Sequence, residues 1–151
     1  MQYGKERPLL TPYERKAHYY ETDQMGIIHH SNYVRWMEEA RVHLLDQVGF
    51  SYKRVEEEGV TFPVLGLSCT YKSMVRYDDV VNIYSAISQY SRTRMTVAYK
   101  MEDKASGILR FEGESYHCFL NREGRPVSMK KAIPQFYELL CYWGEENSEA
   151  G

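Results

Sequence analysis

A long amphipathic segment, from Asn32 to about Gly49, constrains the fold of this chain more than any other feature. Its apolar residues recur at the spacing of one helix face, namely Tyr33, Trp36, Met37, Ala40, Leu44, Leu45 and Val48. Ser31 or Asn32 can cap the start of such a helix, and Gly49 can end it. At about 1.5 Å per residue the helix is roughly 25 Å long, which is enough to cross a whole sheet.

Much of the remaining sequence alternates as β-strands do, with turn signals between the runs. The predicted strands are Glu14 to about Tyr20, Leu67 to Tyr77, Val80 to Tyr90, Met95 to Glu102, and Leu109 to Glu112. Short links between consecutive strands indicate an antiparallel meander. Shorter helices are predicted for Tyr52–Glu58 and for Ala132–Trp143, which Pro134 opens. We therefore expect an α+β fold, with the long helix on one face of a five- or six-stranded antiparallel sheet.

Length and composition exclude several classes of protein. The 151 residues suit one domain with a single core, and the net charge of −2 without a dense Lys/Arg stripe argues against nucleic-acid binding. No apolar run approaches the roughly 20 residues of a membrane helix, and the first residues lack the apolar stretch of a signal peptide. We expect residues 1–143 to form the domain and the acidic residues 144–151 to form a disordered tail.

The cysteines give no sign of a disulfide framework or a zinc site. Cys69, Cys118 and Cys141 are odd in number, widely spaced and without a CxxC pair. Buried thiols in a reducing cytoplasm are the simplest interpretation. His29 and His30 are adjacent rather than four residues apart, so they do not face one point on a helix, and no metal site is expected.

The segment before the long helix brings a carboxylate, a glycine turn and two histidines to the helix start. Asp23 lies upstream of Gly26, and His29 and His30 follow directly. Unpaired N–H donors and the positive dipole end of a helix favour an oxyanion, and a carboxylate can activate water or attack a carbonyl carbon. The pattern suits hydrolysis of an acyl bond. Asp23 can also simply cap a turn before Gly26.

The same segment resembles a known family. The motif Tyr19-x-x-x-Asp23-x-x-Gly26-Ile27-Ile28-x-His30-x-x-Tyr33, followed by Glu38-x-Ala40-Arg41, is similar to the hotdog-fold 4-hydroxybenzoyl-CoA thioesterase family, in its bacterial acyl-CoA branch. The resemblance runs from about Arg15 to Ile133. That branch often carries Glu-Asp-Thr-Asp before the glycine turn. Here Glu21-Thr22-Asp23 lies between Tyr20 and Gln24, which leaves the catalytic position unaffected.

The resemblance implies an acyl-CoA thioesterase that converts a fatty or aromatic acyl-CoA to free acid and CoA without a cofactor. The residue matching Asp23 acts as nucleophile or general base in such enzymes. His30 and Tyr19 match proposed active-site residues, and a backbone N–H near His30 polarises the thioester carbonyl. Expected substrate-binding positions are Gly26, Tyr33, Phe62, Val64, Arg92, Thr93 and Arg94. The arginines suit CoA phosphates, and Phe62 to Leu65 would help line the acyl tunnel from the partner subunit.

Similar proteins pair two subunits into one continuous sheet and often assemble two dimers, so we expect a homotetramer with active sites at the dimer interface. Three alternatives stay open at this stage. The protein could be a non-catalytic acyl-CoA binder or sensor, or a hotdog hydratase or dehydratase. In another hotdog branch the carboxylate lies on the long helix, where Glu38 stands here. Glu38 and Arg41 are spaced to form a salt bridge instead.

Overall fold

Five antiparallel strands, numbered in chain order, form the body of one sheet in the computed structural model, which describes residues 10–146. In order of pairing they are β1 (Tyr13–Lys16), β3 (Val80–Tyr90), β4 (Arg94–Asp103), β5 (Leu109–Cys118) and β2 (Val64–Tyr71). A short sixth strand, β6 (Glu145–Glu146), lies parallel to β3. The predicted α+β architecture with a five- or six-stranded sheet is confirmed.

The long helix α1 (Ser31–Val48) covers one face of this sheet. Its predicted apolar stripe is buried throughout, from 0% exposure at Trp36 to 9% at Val48. Gly49 ends the helix in the left-handed conformation, at φ 90°, where glycine carries no Cβ penalty. The periodicity therefore predicted both the helix and its buried face correctly.

The predicted meander is correct for β3 to β5 and wrong for β2. Strand β2 ends at Tyr71 rather than Tyr77, and it pairs with β5 at the far edge of the sheet instead of with β3. The chain from 72 to 79 then crosses back toward β3. On the way the Val75 carbonyl accepts a 2.8 Å hydrogen bond from the Ile28 amide. This crossing docks the link onto the segment that precedes α1.

The first strand is also shorter than predicted, because β1 ends at Lys16. Tyr19–Glu21 forms a 3₁₀ turn instead of continuing the strand. The Glu21 carboxylate turns back to accept a hydrogen bond from the His18 amide at 2.8 Å, which closes the turn.

Three shorter helices complete the fold: α2 (Tyr52–Glu57), α3 (Met129–Ala132) and α4 (Pro134–Trp143). Pro134 occupies the first turn of α4, as predicted. Residues 144–146, which the sequence analysis places in a disordered tail, are instead part of the fold through the pairing of β6 with β3. The rest of that tail lies outside the described residues. No helix in the described range 10–146 is long and apolar enough to span a bilayer.

Candidate active site

Asp23 lies in a tight turn just before α1. Its Oδ1 accepts a hydrogen bond from the Met25 amide at 2.8 Å and a longer one, 3.4 Å, from the Ile27 amide. Gly26 has φ +77°, a conformation that favours glycine. The turn-capping role of Asp23 is thus present in the structure. It engages Oδ1 alone, and Oδ2 makes no hydrogen bond to any residue from 10 to 146.

Asp23 and His30 border the same cavity of about 520 Å³ at the start of α1. Its other lining residues are Ile27, Ile28, Tyr33, Tyr71, Lys72, Ser73 and Met74. The His30 ring is exposed, and its backbone N–H forms no hydrogen bond within the described part of the chain. Asp23, which has one carboxylate oxygen without a hydrogen bond among residues 10–146, and His30, whose amide is unpaired there, therefore line one cavity beside the positive end of the helix dipole.

Aromatic rings form one wall of this cavity. Tyr33, 4% exposed, stacks on Phe111 with ring centroids 5.3 Å apart and planes 14° apart. Tyr71 packs edge-on against both rings, at 5.2 and 5.4 Å, yet it remains 47% exposed. Burial raises the pKa of the Tyr33 phenol. Of these rings Tyr33 and Tyr71 line the cavity, and the half-exposed Tyr71 offers apolar ring surface to a bound group.

The segment that carries Asp23 is fastened to α1 by polar contacts. Asn32 Nδ2 donates to the backbone carbonyls of Glu21 and His29, at 3.0 and 3.2 Å. The predicted cap is therefore wrong: the N-cap is His30, and Ser31 Oγ bonds His29 Nδ1 at 2.8 Å. Asn32 does not cap the helix, because its buried side-chain amide donates to the two preceding carbonyls instead.

Several predicted site residues lie elsewhere in the chain. Tyr19 is 75% exposed, packs edge-on against Tyr77 at 5.5 Å, and does not line the Asp23 cavity. Phe62 is 2% exposed and is packed between Tyr52 and His117, so it belongs to the protomer core. Val64 begins the edge strand β2 and is 45% exposed.

The predicted phosphate contacts lie at the turn between β3 and β4. Arg94 lines a second cavity of about 430 Å³, which shares no lining residue with the Asp23 cavity. Arg92 lies near Tyr137 of α4 instead. The Thr93 amide is held by Ser91 Oγ at 3.3 Å. Within this chain the structure thus groups Asp23, His30 and Tyr33 at one cavity, and the turn between β3 and β4 lies apart from them.

The predicted salt bridge between Glu38 and Arg41 does not form. Glu38 is exposed on the outer side of α1, whereas Arg41 is 7% exposed and donates to the Tyr99 hydroxyl at 2.9 Å. Tyr99 bonds Ser115 Oγ at 2.7 Å, and Ser115 bonds His117 Nε2 at 2.8 Å. His117 Nδ1 then reaches the Phe62 carbonyl at 3.1 Å.

Sequence reasoning missed two groups of residues at the site. Lys72, Ser73 and Met74 line the cavity because the chain crosses back after β2, and nothing in their own pattern signals this. Glu21 enters the motif only as the acid of the run Glu21-Thr22-Asp23, and its position two residues before Asp23 is the signal that could have marked it. Across residues 10–146, no three His, Cys, Asp or Glu side chains gather as a group that could hold a metal ion.

Comparison with known proteins agrees with this fold. Residues 18–138 match the model of the thioesterase-like superfamily. YneP of Bacillus subtilis, whose acyl-CoA thioesterase assignment is provisional, is 33% identical over 82% of this chain and 90% of its own. The acyl-CoA thioester hydrolase YbgC of Escherichia coli is 25% identical over 78% and 88%.

Solved structures lead to the same class. A DHNA-CoA thioesterase from Staphylococcus aureus superposes with a TM-score of 0.82 at 30% identity, covering 87% of this chain and 88% of that one. The fold is that of the hotdog thioesterases. The chain belongs to the thioesterase-like superfamily, and the expected class of enzyme, a thioester hydrolase, is confirmed.

Proposed function

We propose that this protein hydrolyses acyl-CoA thioesters at the cavity beside the start of α1, with Asp23 as the catalytic carboxylate. The observation that carries the proposal is the meeting of Asp23 and the unpaired His30 amide at one cavity. Asp23 Oδ2 is free to face a reacting group. The relatives named as acyl-CoA thioesterases support the choice of substrate.

In the proposed reaction the thioester carbonyl oxygen points to the His30 amide and the helix start. Asp23 either removes a proton from the attacking water or attacks the carbonyl carbon itself. Negative charge develops on the carbonyl oxygen, where preorganised N–H donors stabilise it most. The C–S bond then breaks and the sulfur takes up a proton. Where Asp23 attacks directly, water then hydrolyses the acyl–Asp23 anhydride and restores the carboxylate. On either route thioester and water give carboxylic acid and CoA, and the His30 side chain helps to orient the water.

We infer that an aromatic acyl group fits the cavity better than a flexible fatty chain. Tyr33 and the half-exposed Tyr71 line it, and Phe111 packs behind both rings. Arg94, at its separate cavity, is the proposed contact for CoA phosphates. The two cavities are separate within one chain. In the proposed dimer, Arg94 of one subunit would therefore contact the phosphates of a CoA whose acyl group lies in the Asp23 cavity of the other subunit.

The proposed assembly is a cytoplasmic homotetramer built from dimers. Strand β2 is an edge strand that pairs with β5 alone among residues 10–146, and Val64, Leu65 and Leu67 on it are 45%, 54% and 41% exposed. An apolar edge of this kind is a template for pairing with a second copy. Such pairing would bring Val64 of one protomer toward the other.

The test is CoA release from aromatic, short, medium and long acyl-CoAs, with wild type beside Asp23→Asn. We expect kcat to fall by about 10²- to 10⁴-fold in the variant, with little change in KM. Glu38→Gln is the matched control, because Glu38 is the rival carboxylate on the outer side of α1.

Loss of activity in Glu38→Gln with retention in Asp23→Asn would overturn the assignment and move the site to the helix. Wild type that binds acyl-CoA in calorimetry without releasing CoA would instead indicate a binding protein.

A further inference from the structure

The carboxylate of Glu21 has no part in the proposed reaction, although it lies two residues before Asp23. It is 3% exposed, and donors fill both oxygens. Oε1 accepts from Arg15 Nη1 at 2.9 Å and from the His18 amide at 2.8 Å. Oε2 accepts from Arg15 Nη2 at 3.0 Å and from Trp36 Nε1 at 2.9 Å. Such a charged, bidentate arrangement fixes direction as well as distance.

The backbone of Glu21 is held as firmly as its side chain. Its carbonyl accepts from the His29 amide at 2.9 Å and from Asn32 Nδ2 at 3.0 Å. Trp36 and Asn32 belong to α1, and Arg15 belongs to β1. Glu21 thus joins the strand, the Asp23 turn and the helix start at one buried point.

We propose that Glu21 is a positioning residue for the reaction, which holds the Asp23 carboxylate at a fixed place relative to the His30 amide. This inference rests on the proposed function, since it assigns Glu21 an effect that passes through Asp23. A displacement of reacting groups by about 1 Å can cost 10²-fold in rate. Hydrogen bonds to Glu21 on both sides of the Asp23 turn leave that turn little room to shift.

The first experiment compares Glu21→Gln with Glu39→Gln. Glutamine keeps the shape of Glu21 but cannot accept at both side-chain positions from Arg15. Glu39 contacts the same Arg15, through Nε at 2.9 Å, and does not touch the Asp23 turn. We expect kcat of Glu21→Gln to fall about 10- to 100-fold with KM within about threefold. Glu39→Gln should keep kcat within about twofold, with both variants folded by circular dichroism.

A double variant separates positioning from general loss of structure. If Glu21 acts through Asp23, then Glu21→Gln adds little to the loss already caused by Asp23→Asn, because the two act as one unit. Multiplicative losses in the double variant would overturn the inference. So would a folded Glu21→Gln enzyme at the wild-type kcat, while the inactivity of Asp23→Asn left the proposed function standing. Wild type without turnover would contradict the proposed function itself.

Trp36→Phe carries the same test if Glu21→Gln does not fold. It keeps an aromatic ring in the core and removes one donor to Oε2. We expect kcat to fall about 3- to 10-fold with KM nearly constant. An unchanged kcat in this variant would overturn the inference.

Discussion

Two polar networks are buried beside α1. One pairs opposite charges, and the other holds a cation against uncharged partners. Around Glu21, a carboxylate and the Arg15 guanidinium pair at 2.9 Å with their charges retained. Around His117, the buried Arg41 cation donates to a neutral tyrosine hydroxyl, with no carboxylate ion pair in the described part of the chain. The first network joins residues close in sequence beside the proposed site. The second joins residues far apart, beneath the edge strand.

The His117 chain is fully bonded with a neutral imidazole. In that form Nε2 accepts from the Ser115 hydroxyl, Ser115 Oγ accepts from the Tyr99 hydroxyl, and the Tyr99 oxygen accepts from Arg41. His117 Nδ1–H then donates to the Phe62 carbonyl. Burial, helped by the Arg41 charge, lowers the pKa of His117 to about 4. The comparison teaches that a buried cation can be tolerated where its neighbours stay uncharged and fully bonded.

The largest effect is expected at the charged network. Arg15→Ala leaves the Glu21 carboxylate buried without its counter-ion, which should cost about 3–5 kcal/mol of unfolding free energy. Urea denaturation measures this. Arg35→Ala, on the exposed side of α1, should change the value by less than about 0.5 kcal/mol. Equal losses of unfolding free energy in the two variants would contradict a stabilising role for the buried Arg15–Glu21 pair.

The two networks should respond to acid in different pH ranges. The pKa of His117 is lower in the folded protein than the ordinary 6.5, so the unfolded chain binds more protons below that pH. The contribution of neutral His117 to the free energy of unfolding is therefore fully present above pH 6.5. Up to about 3 kcal/mol of it is lost as the pH falls toward 4.

Glu21 changes the free energy of unfolding in a lower pH range than His117 does. Burial alone would raise the pKa of its carboxyl, but hydrogen bonds from His18, Trp36 and Arg15 outweigh burial and lower the pKa below 4.5. Its stabilisation is lost only as the pH falls further. Unfolding free energies measured from pH 7 to pH 3 check both ranges. His117→Gln should flatten the upper range, and a curve identical to wild type would contradict the assignment.

The smallest effect is expected at Tyr99. Tyr99→Phe removes one hydroxyl and leaves Arg41 and Ser115 without their bridge, which should cost about 2 kcal/mol. Its kcat should stay near that of wild type, unlike Glu21→Gln, because this network does not touch the Asp23 turn. A kcat loss as large as that of Glu21→Gln would erase the distinction between the two networks.

The residues around the site show how far sequence reasoning reached. The motif predicted Asp23, His30 and Tyr33 together, since all three lie within one turn and one helix start. Tyr71 and the residues that follow it reach the cavity only through the pairing of β2 with β5, so no local pattern could place them. Phe62 was expected at a substrate tunnel because of the family resemblance, and the structure instead buries it against His117.

The sequence by itself determined α1, its buried face and the Asp23 turn. Helical periodicity, a left-handed glycine and a short carboxylate turn each depend on residues a few positions apart. Only the tertiary structure decided the strand order, the aromatic wall and the His117 chain. Strand pairing and buried hydrogen bonds join residues as distant as Arg41 and Tyr99, and their partners are chosen by the shape of the core rather than by neighbours along the chain.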